Sequence, residues 1–521
     1  MGQYPQKREN DIIFSLFTEG NVMGNTVLDY LKLDCDGNAA LFYDEAQTVS
    51  RAQFIACAKS VGTYLCSAVE PGHPVAVLCG RHAHTPCCFL GAVEAGCFYA
   101  PMDPSMPAAR LDQILGVIKA PVMLTDRENY DLAASLDFDG KIAVFEDISD
   151  TEISETALAN AQKELREDRP LYVIFTSGSS GVPKGVVTSH RSVMNYIDAV
   201  CSVLHISPSD VLGSQAPLDY IAAIRDIYIP LKTGCSAVII PKAQFAMPNA
   251  LFRTLNLYKV TTLCWSVAGM EVPYKLNGFS QLRPEYVTKV LFSGAVMPGK
   301  CLRVWQQNLP GALFVNQYGP TECTASCTYY TVPRLVEEDE VLPIGRPYQN
   351  YGILLLNEDN TPTAPGEQGE ICVTGCGLAL GYYGDEERTA QSFIQNPLNR
   401  QYRELIYKTG DIGSLNENGE LEFHGRKDRQ IKYMGHRVEL DEVEKTALQL
   451  DGIDECCAMY QSEREMLYLF YTGTADTRTI ALFFRQRLPG FMAPRKTVKL
   501  DELPRLPNGK TDMQSLKKYY K

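Results

Sequence analysis

Two textures alternate along most of the chain. Short apolar runs rich in β-branched residues stand between longer stretches whose apolar positions recur every three or four residues. The runs at 74–79, 122–125, 142–145, 171–175, 237–240, 287–292 and 313–315 read as buried strands. Residues 51–65 read as a helix, with Phe54, Ala58, Val61 and Leu65 on one face. Strand and helix in alternation predict an α/β fold of layered, largely parallel sheets. After Gly410 the texture changes. Gly-rich polar turns lead into the charged string GRKDRQIK at 425–432. Beyond it, helical spacing at 442–450 and 477–488 flanks strand-like runs at 456–460 and 466–471. That content suffices for a small α+β domain. The expected division is a large N-terminal core, 1–427, and a small C-terminal domain, 428–521.

Composition narrows the function classes. Apolar residues make up 45% and charged residues 21% of the 521, the proportions of an ordinary globular protein rather than a disordered one. The length alone suggests about three domains; the change of texture replaces that with one large composite region and one small domain. The apolar runs are far shorter than the ~20 residues that span a bilayer, so no membrane association is expected. The opening MGQYPQKREN has no apolar core for a signal peptide, and Gln6 stands where a myristoylation site needs Ser or Thr, so a cytoplasmic protein is expected. A net charge of −13 argues against a nucleic-acid partner, which needs a basic footprint. Positive charge for any anionic ligand must therefore be concentrated locally. The 17 cysteines include close pairs, among them Cys87 with Cys88 and Cys323 with Cys327, but none with a CxxC spacing, and they are expected to be buried, reduced thiols.

The most informative segment is TSGSSGVPKG at 176–185, directly after the strand-like run at 171–175. Glycines and hydroxyl residues at this density allow backbone N–H groups to converge on an anion, and Lys184 adds a compact positive charge. No Ser or Thr follows Lys184, so it is not the P-loop of NTPases. On composition alone, a flexible surface loop fits equally well.

The string TSGSSGVPKGV closely resembles the phosphate loop of adenylate-forming enzymes: acyl-CoA synthetases, luciferases and the adenylation domains of nonribosomal peptide synthetases. The resemblance continues in order through GAVEAGCFYAPMDP (91–104), NQYGPTE (316–322), GEICVTGCGLALGY (369–382), YKTGD (407–411), GRKDRQIKYMGHRVE (425–439) and LPNGK (506–510). It implies a ligase that couples a carboxylic acid to ATP, releases pyrophosphate and passes the acyl group from acyl-AMP to a thiol. It also implies that the small domain is mobile.

By the same resemblance, Lys510 is the catalytic lysine, Thr321 contacts phosphate, and Glu322 ligates Mg²⁺, a cation that favours hard oxygen donors. Thr176, Ser177, Gly178, Ser179 and Lys184 would cradle the phosphates. Asn316, Tyr318 and Gly319 would face adenine, Asp411 and Arg426 would hold the ribose, Asp428 would be the hinge, and Gly435 would line a thiol tunnel.

The segment 215–234 resembles the specificity-bearing part of amino-acid-activating members, including D-alanine carrier-protein ligases. Those carry an Asp that pairs with the substrate ammonium; Ile221 stands at that position here. An isoleucine cannot neutralise a buried ammonium. Asp219 could reach the place, the amino group could sit elsewhere on the substrate, or the acid could lack one. Arg225 falls at the expected pocket floor, where it pairs either within the protein, with Asp226 or Asp219, or with an acceptor at the far end of the substrate. Ala222, Ser266, Leu291, Ser293, Gln317, Ala325 and Ser326 complete the expected wall, a mixed surface suited to a small carboxylic acid: an amino, β-amino, aryl or hydroxy acid.

The chain ends eleven residues after Lys510, too few for a carrier domain. The expected partner is therefore a separate carrier protein with a phosphopantetheine arm. A coenzyme A ligase and a non-catalytic nucleotide-binding relative are the alternatives.

Overall fold

A computed structural model describes residues 26–178, 181–364, 366–506 and 510–520. Its framework is two large sheets. One has seven strands, in the order Gly381–Tyr382, Lys184–Ser189, Pro170–Thr176, Phe98–Met102, Pro74–Leu78, Val122–Thr125, Lys141–Val144. The last five run parallel; the first two are antiparallel additions. The other sheet has nine strands, with a parallel centre that includes Val211–Ser214, Thr262–Ser266, Lys289–Ser293 and Leu313–Tyr318. All-buried strands such as Pro74–Leu78 match the uninterrupted apolar runs of the sequence, because parallel strands are covered on both faces.

The helices Arg51–Cys66, Thr85–Glu94, His190–Leu204 and Ala223–Thr233 share one core cluster with residues of both sheets. Thr85–Glu94 is buried along its whole length. Ala223–Thr233 is buried from Ala223 to Leu231, so its charged members, Arg225 and Asp226, are carried into the interior.

A third, antiparallel sheet contains Tyr351–Leu356, Gly369–Gly375, Leu405–Leu415 and Phe393–Gln395, with Leu421–Arg426 paired to Leu405–Leu415. The chain leaves it at Arg426. It then forms the hairpin Gln430–Tyr433/His436–Glu439 and a three-stranded sheet of Ile453–Gln461, Met466–Gly473 and Lys496–Lys499. The helices Leu440–Ala447 and Thr477–Arg487 cover a separate core that includes Val438, Val443, Leu467, Leu469, Ile480 and Phe484.

Observed elements follow the periodicity to within a few residues. The predicted helix 51–65 is Arg51–Cys66, and the predicted strand 456–460 lengthens to Ile453–Gln461 because its partner Met466–Gly473 extends the ladder. All cysteines are free, and Cys376 is the exposed one. No helix among the described residues is long and apolar enough to cross a membrane.

Candidate functional site

The site lies where parallel strands of both large sheets end at their carboxyl termini, the usual crevice of α/β folds. Thr176, Ser293 and Tyr318 are each the last residue of such a strand. One cavity there is lined by Thr176, Ile221, Ala222, Arg225, Ser293, Thr321, Ala325, Asp411, Arg426, Gly435 and Arg437, among others. It joins the residues expected for the acid to those expected for the nucleotide.

The glycine-rich loop is the connection of an antiparallel pair, closed by the register Thr176↔Lys184. Gly178 is required by crowding: a Cβ there would stand 2.1 Å from the Val182 carbonyl oxygen. Ser177 Oγ donates to the Arg437 carbonyl at 2.9 Å. The Gly178 N–H donates to Glu442 Oε2 at 3.1 Å, and Glu442 in turn accepts from Arg110 Nη1 at 2.7 Å. Thr176 Oγ1 is buried and makes no hydrogen bond among the described residues. Ser179 lies outside the described residues.

Beside the loop, Glu322 is fully buried. It accepts from Lys184 Nζ at 3.2 Å, from Tyr382 Oη at 2.7 Å, and from Arg437 Nη1 at 3.0 and 2.9 Å on its two oxygens. Burial alone would raise the Glu322 carboxyl, but Arg437, Lys184 and the Tyr382 hydroxyl outweigh it and hold the group far below the usual carboxylate range. Burial, with repulsion from Arg437, pulls Lys184 down to about 8. Both Glu322 oxygens are thus taken by a guanidinium, and no group of three or more carboxylate, His or Cys side chains able to hold a metal occurs among the described residues. The expected Mg²⁺ role of Glu322 would require Arg437 to leave, because its guanidinium occupies both carboxylate oxygens here.

Asp411 and Arg426 meet because the strands carrying them pair in the register Asp411↔Arg426. Arg426 Nη1 donates to Asp411 Oδ1, and Tyr318 Oη donates to Asp411 Oδ2 at 2.5 Å. Arg426 also forks onto Asp428, Nε to Oδ1 at 2.7 Å and Nη2 to Oδ2 at 2.6 Å. Asn316, expected at the adenine, donates from its amide Nδ2 to the Pro343 carbonyl at 2.9 Å, which orients the side chain and leaves its Oδ1 and second N–H. Thr321 lines the cavity, and so does Gly319, whose missing Cβ leaves room for the Ser326 backbone.

The hairpin tip at Met434 and Gly435 closes the cavity from the small-domain side. Both residues have positive φ, 52° and 83°, the signature of a two-residue type I′ turn. A Cβ at Gly435 would stand 3.5 Å from Ser266 Cβ and Oγ. Ser266 itself caps the helix Val267–Lys275 through the Gly269 N–H. Lys510 is exposed, does not line the cavity, and accepts at its backbone carbonyl from the Leu506 N–H. The neighbouring Arg505 is tied to Glu455 of the small domain's own sheet. The turn 507–509 lies outside the described residues.

In the acid half, Ile221, Ala222, Ser293 and Ala325 line the cavity, as expected. Asp219 does not; burial and the nearby Asp103 raise its carboxyl to about 7. Leu291 is buried within its strand. Gln317 lies behind Arg225, its Oε1 accepting from Arg225 Nη1 at 2.9 Å, Ser326 Oγ at 3.1 Å and Tyr196 Oη at 3.2 Å, while its Nε2 donates to Tyr348.

The AMP-binding enzyme profile matches residues 33–383. The chain belongs to the AMP-binding enzyme family. Tyrocidine synthase 3 of Brevibacillus parabrevis is 32% identical over 433 residues, covering 82% of this chain but 6% of that protein. The chain thus spans a small part of this relative. Zwittermicin A synthase ZmaJ of Bacillus cereus is 29% identical and the match covers 86% of both chains. Among solved structures, IdnL1 is 26% identical with a TM-score of 0.78, covering 92% of this chain and 99% of that one. The holo form of PA1221, a nonribosomal peptide synthetase protein with adenylation and carrier domains, superposes with a TM-score of 0.81 at 24% identity, over 95% of this chain and 84% of that one. Within the family, the chain is of the adenylation type found in nonribosomal peptide synthetases.

Residues that the sequence reading did not single out hold the site together. Arg437, Glu442, Arg110 and Tyr382 all bond to the loop or to Glu322, or to a residue that does. Arg437 stands inside the string GRKDRQIKYMGHRVE, which was the available signal for it.

Proposed function

We propose that this AMP-binding family member activates a small carboxylic acid as its acyl adenylate and transfers the acyl group to the phosphopantetheine thiol of a separate carrier protein. The observation that carries the reading is the continuous cavity from Arg225 and Ile221 to Asp411 and Arg426, a single space in which acid and nucleotide would meet. In the first step a carboxylate oxygen bonds to the α-phosphorus of ATP as the bond to pyrophosphate breaks. In the second the thiol sulfur bonds to the acyl carbon, the bond to AMP breaks, and the thiol proton is lost.

Lys184 and the loop amides would bind phosphate, and the Asp411–Arg426 pair would bind the ribose hydroxyls. The two steps need different neighbours. Lys510 is to stabilise charge in the first, yet here it lies outside the cavity while Gly435 faces it. We therefore assign this arrangement to the thiol-transfer step, with 428–521 turning about Asp428 between poses. A glycine at the tip leaves room for a thin pantetheine arm.

Acid-dependent exchange of labelled pyrophosphate into ATP tests the first step. Transfer to a phosphopantetheinylated carrier, run beside free coenzyme A, tests the second. Exchange without any acid requirement overturns the reading; thioester formation with coenzyme A alone replaces the carrier by that thiol.

A further inference from the structure

Arg225 has no exposed surface and lines the acid end of the cavity. The guanidinium makes two contacts, both through Nη1: to Gln317 Oε1 at 2.9 Å and to Tyr196 Oη at 3.5 Å. Nε and Nη2 are buried and have no hydrogen-bond partner among the described residues. None of its nitrogens meets a carboxylate. Asp226, next on the helix, is buried as well, and neither of its oxygens bonds to Arg225.

The identity of the free pair is informative. Nε–H and one Nη–H of a guanidinium point in parallel from one edge, the edge that takes both oxygens of a carboxylate at once. Asp226 acts on Arg225 only through space, and a buried guanidinium that lacks a hydrogen-bonded counter-ion and two of its hydrogen bonds is costly to keep. Gln317 presents only a neutral oxygen, itself shared with Ser326 and Tyr196. The wall beside it is Ile221, Ala222 and Ala325, with nothing to balance an ammonium.

Resting on the adenylation reading above, we infer that the substrate is a short dicarboxylic acid without an ammonium group beside the reacting carboxylate. One carboxylate is activated at the Asp411 end of the cavity. The other forks onto Nε and Nη2 of Arg225 and stays chemically unchanged. Arg225 is thus a binding and specificity residue of this chain.

The test is pyrophosphate exchange by the full chain with malonate, succinate and glutarate beside propionate, butyrate, L-alanine and L-valine. At least one dicarboxylate is expected to exceed every monoacid and amino acid in kcat/KM by at least about 100-fold, since a site built for polar pairing rejects an analogue that lacks the group by up to about 10⁴–10⁵-fold. Arg225→Met should raise the KM for that dicarboxylate by a similar factor, leave the KM for ATP within about 2-fold, and improve butyrate. Calorimetric binding of the same acids to the unaltered protein supplies a second reading that needs no variant. Exchange confined to monoacids or amino acids, or a folded Arg225→Met protein with an unchanged ranking of acids, would overturn the inference and leave the adenylation reading standing. No exchange with any acid would sink both.

Discussion

At the nucleotide end of the cavity, Glu322 is held by Lys184 and Arg437, and Asp411 by Arg426. At the acid end, Arg225 is as deeply buried, but no carboxylate hydrogen-bonds to it and Asp226 acts on it only through space. Both regions come from the same kind of scaffold, buried elements at the carboxyl ends of parallel strands. The difference is who supplies the partner. At the first end the chain does: Lys184 and Arg426 from the large domain, and from the small domain the Arg437 guanidinium on Glu322 and the Glu442 carboxylate on the Gly178 amide. At the second end the chain supplies the neutral Gln317 and Tyr196 and, through space, Asp226, but no bonded carboxylate.

The largest effect that would test this contrast is at Lys510. Lys510→Ala should lower acid-dependent pyrophosphate exchange by about 10²–10³-fold, the usual cost of removing a transition-state charge donor. Transfer from a preformed acyl adenylate to carrier should stay within about 3-fold, because Lys510 lies outside the cavity in the pose assigned to transfer. Equal losses in both reactions would contradict that assignment.

Stability separates the two ends next. Glu322→Ala strands Lys184 and Arg437 in a dry site and should cost about 3–5 kcal/mol in denaturant unfolding. Arg225→Met removes a buried charge that has no hydrogen-bonded counter-ion and should change stability by no more than about 1 kcal/mol in the same titration. If the two variants lose stability equally, Arg225 is balanced within the protein after all.

A pH profile follows from Lys184. Its ammonium is held near 8, below the usual lysine range, by burial first and by Arg437 second. Below that pH it is charged and ready for phosphate; above it the charge is lost. For free enzyme, kcat/KM for ATP is expected to fall about tenfold per pH unit above about 8. Lys184→Arg should remove the alkaline fall, since a guanidinium stays charged there.

The smallest effect is at Glu442. Its carboxyl is pushed up by burial, with Arg110 pulling the other way. Glu442→Gln keeps the shape but discards the charge that competes for the Gly178 N–H. The KM for ATP should drop by about 2–5-fold, the modest size of a single conformational coupling. A rise instead would mean that Glu442 supports nucleotide binding directly.

How much of this was legible before the fold was known depended on sequence distance. Strands and helices were, because buried parallel strands write continuous apolar runs and amphipathic helices write a period. The loop at 176–185 was, because its glycines and Lys184 are contiguous. The Asp411–Arg426 pair was readable from its motifs, and strand register then brought the two together. Arg437 was not, because its partner Glu322 lies 115 residues away and the contact depends on how one folded unit is set against another. Glu442 and Arg110 are 332 residues apart and escaped for the same reason. Asp219 looked available by proximity to Ile221, but it is not among the residues that line the cavity. The Asn316 bond to the Pro343 carbonyl could not be read from the sequence, because 27 residues separate the two.

The grip of Arg437 on Glu322 also bears on how a nucleotide would arrive. In this arrangement both Glu322 oxygens already accept from a side chain of the small domain. Binding of a group there becomes an exchange of one set of oriented partners for another, so its speed is expected to follow the proposed swing of residues 428–521.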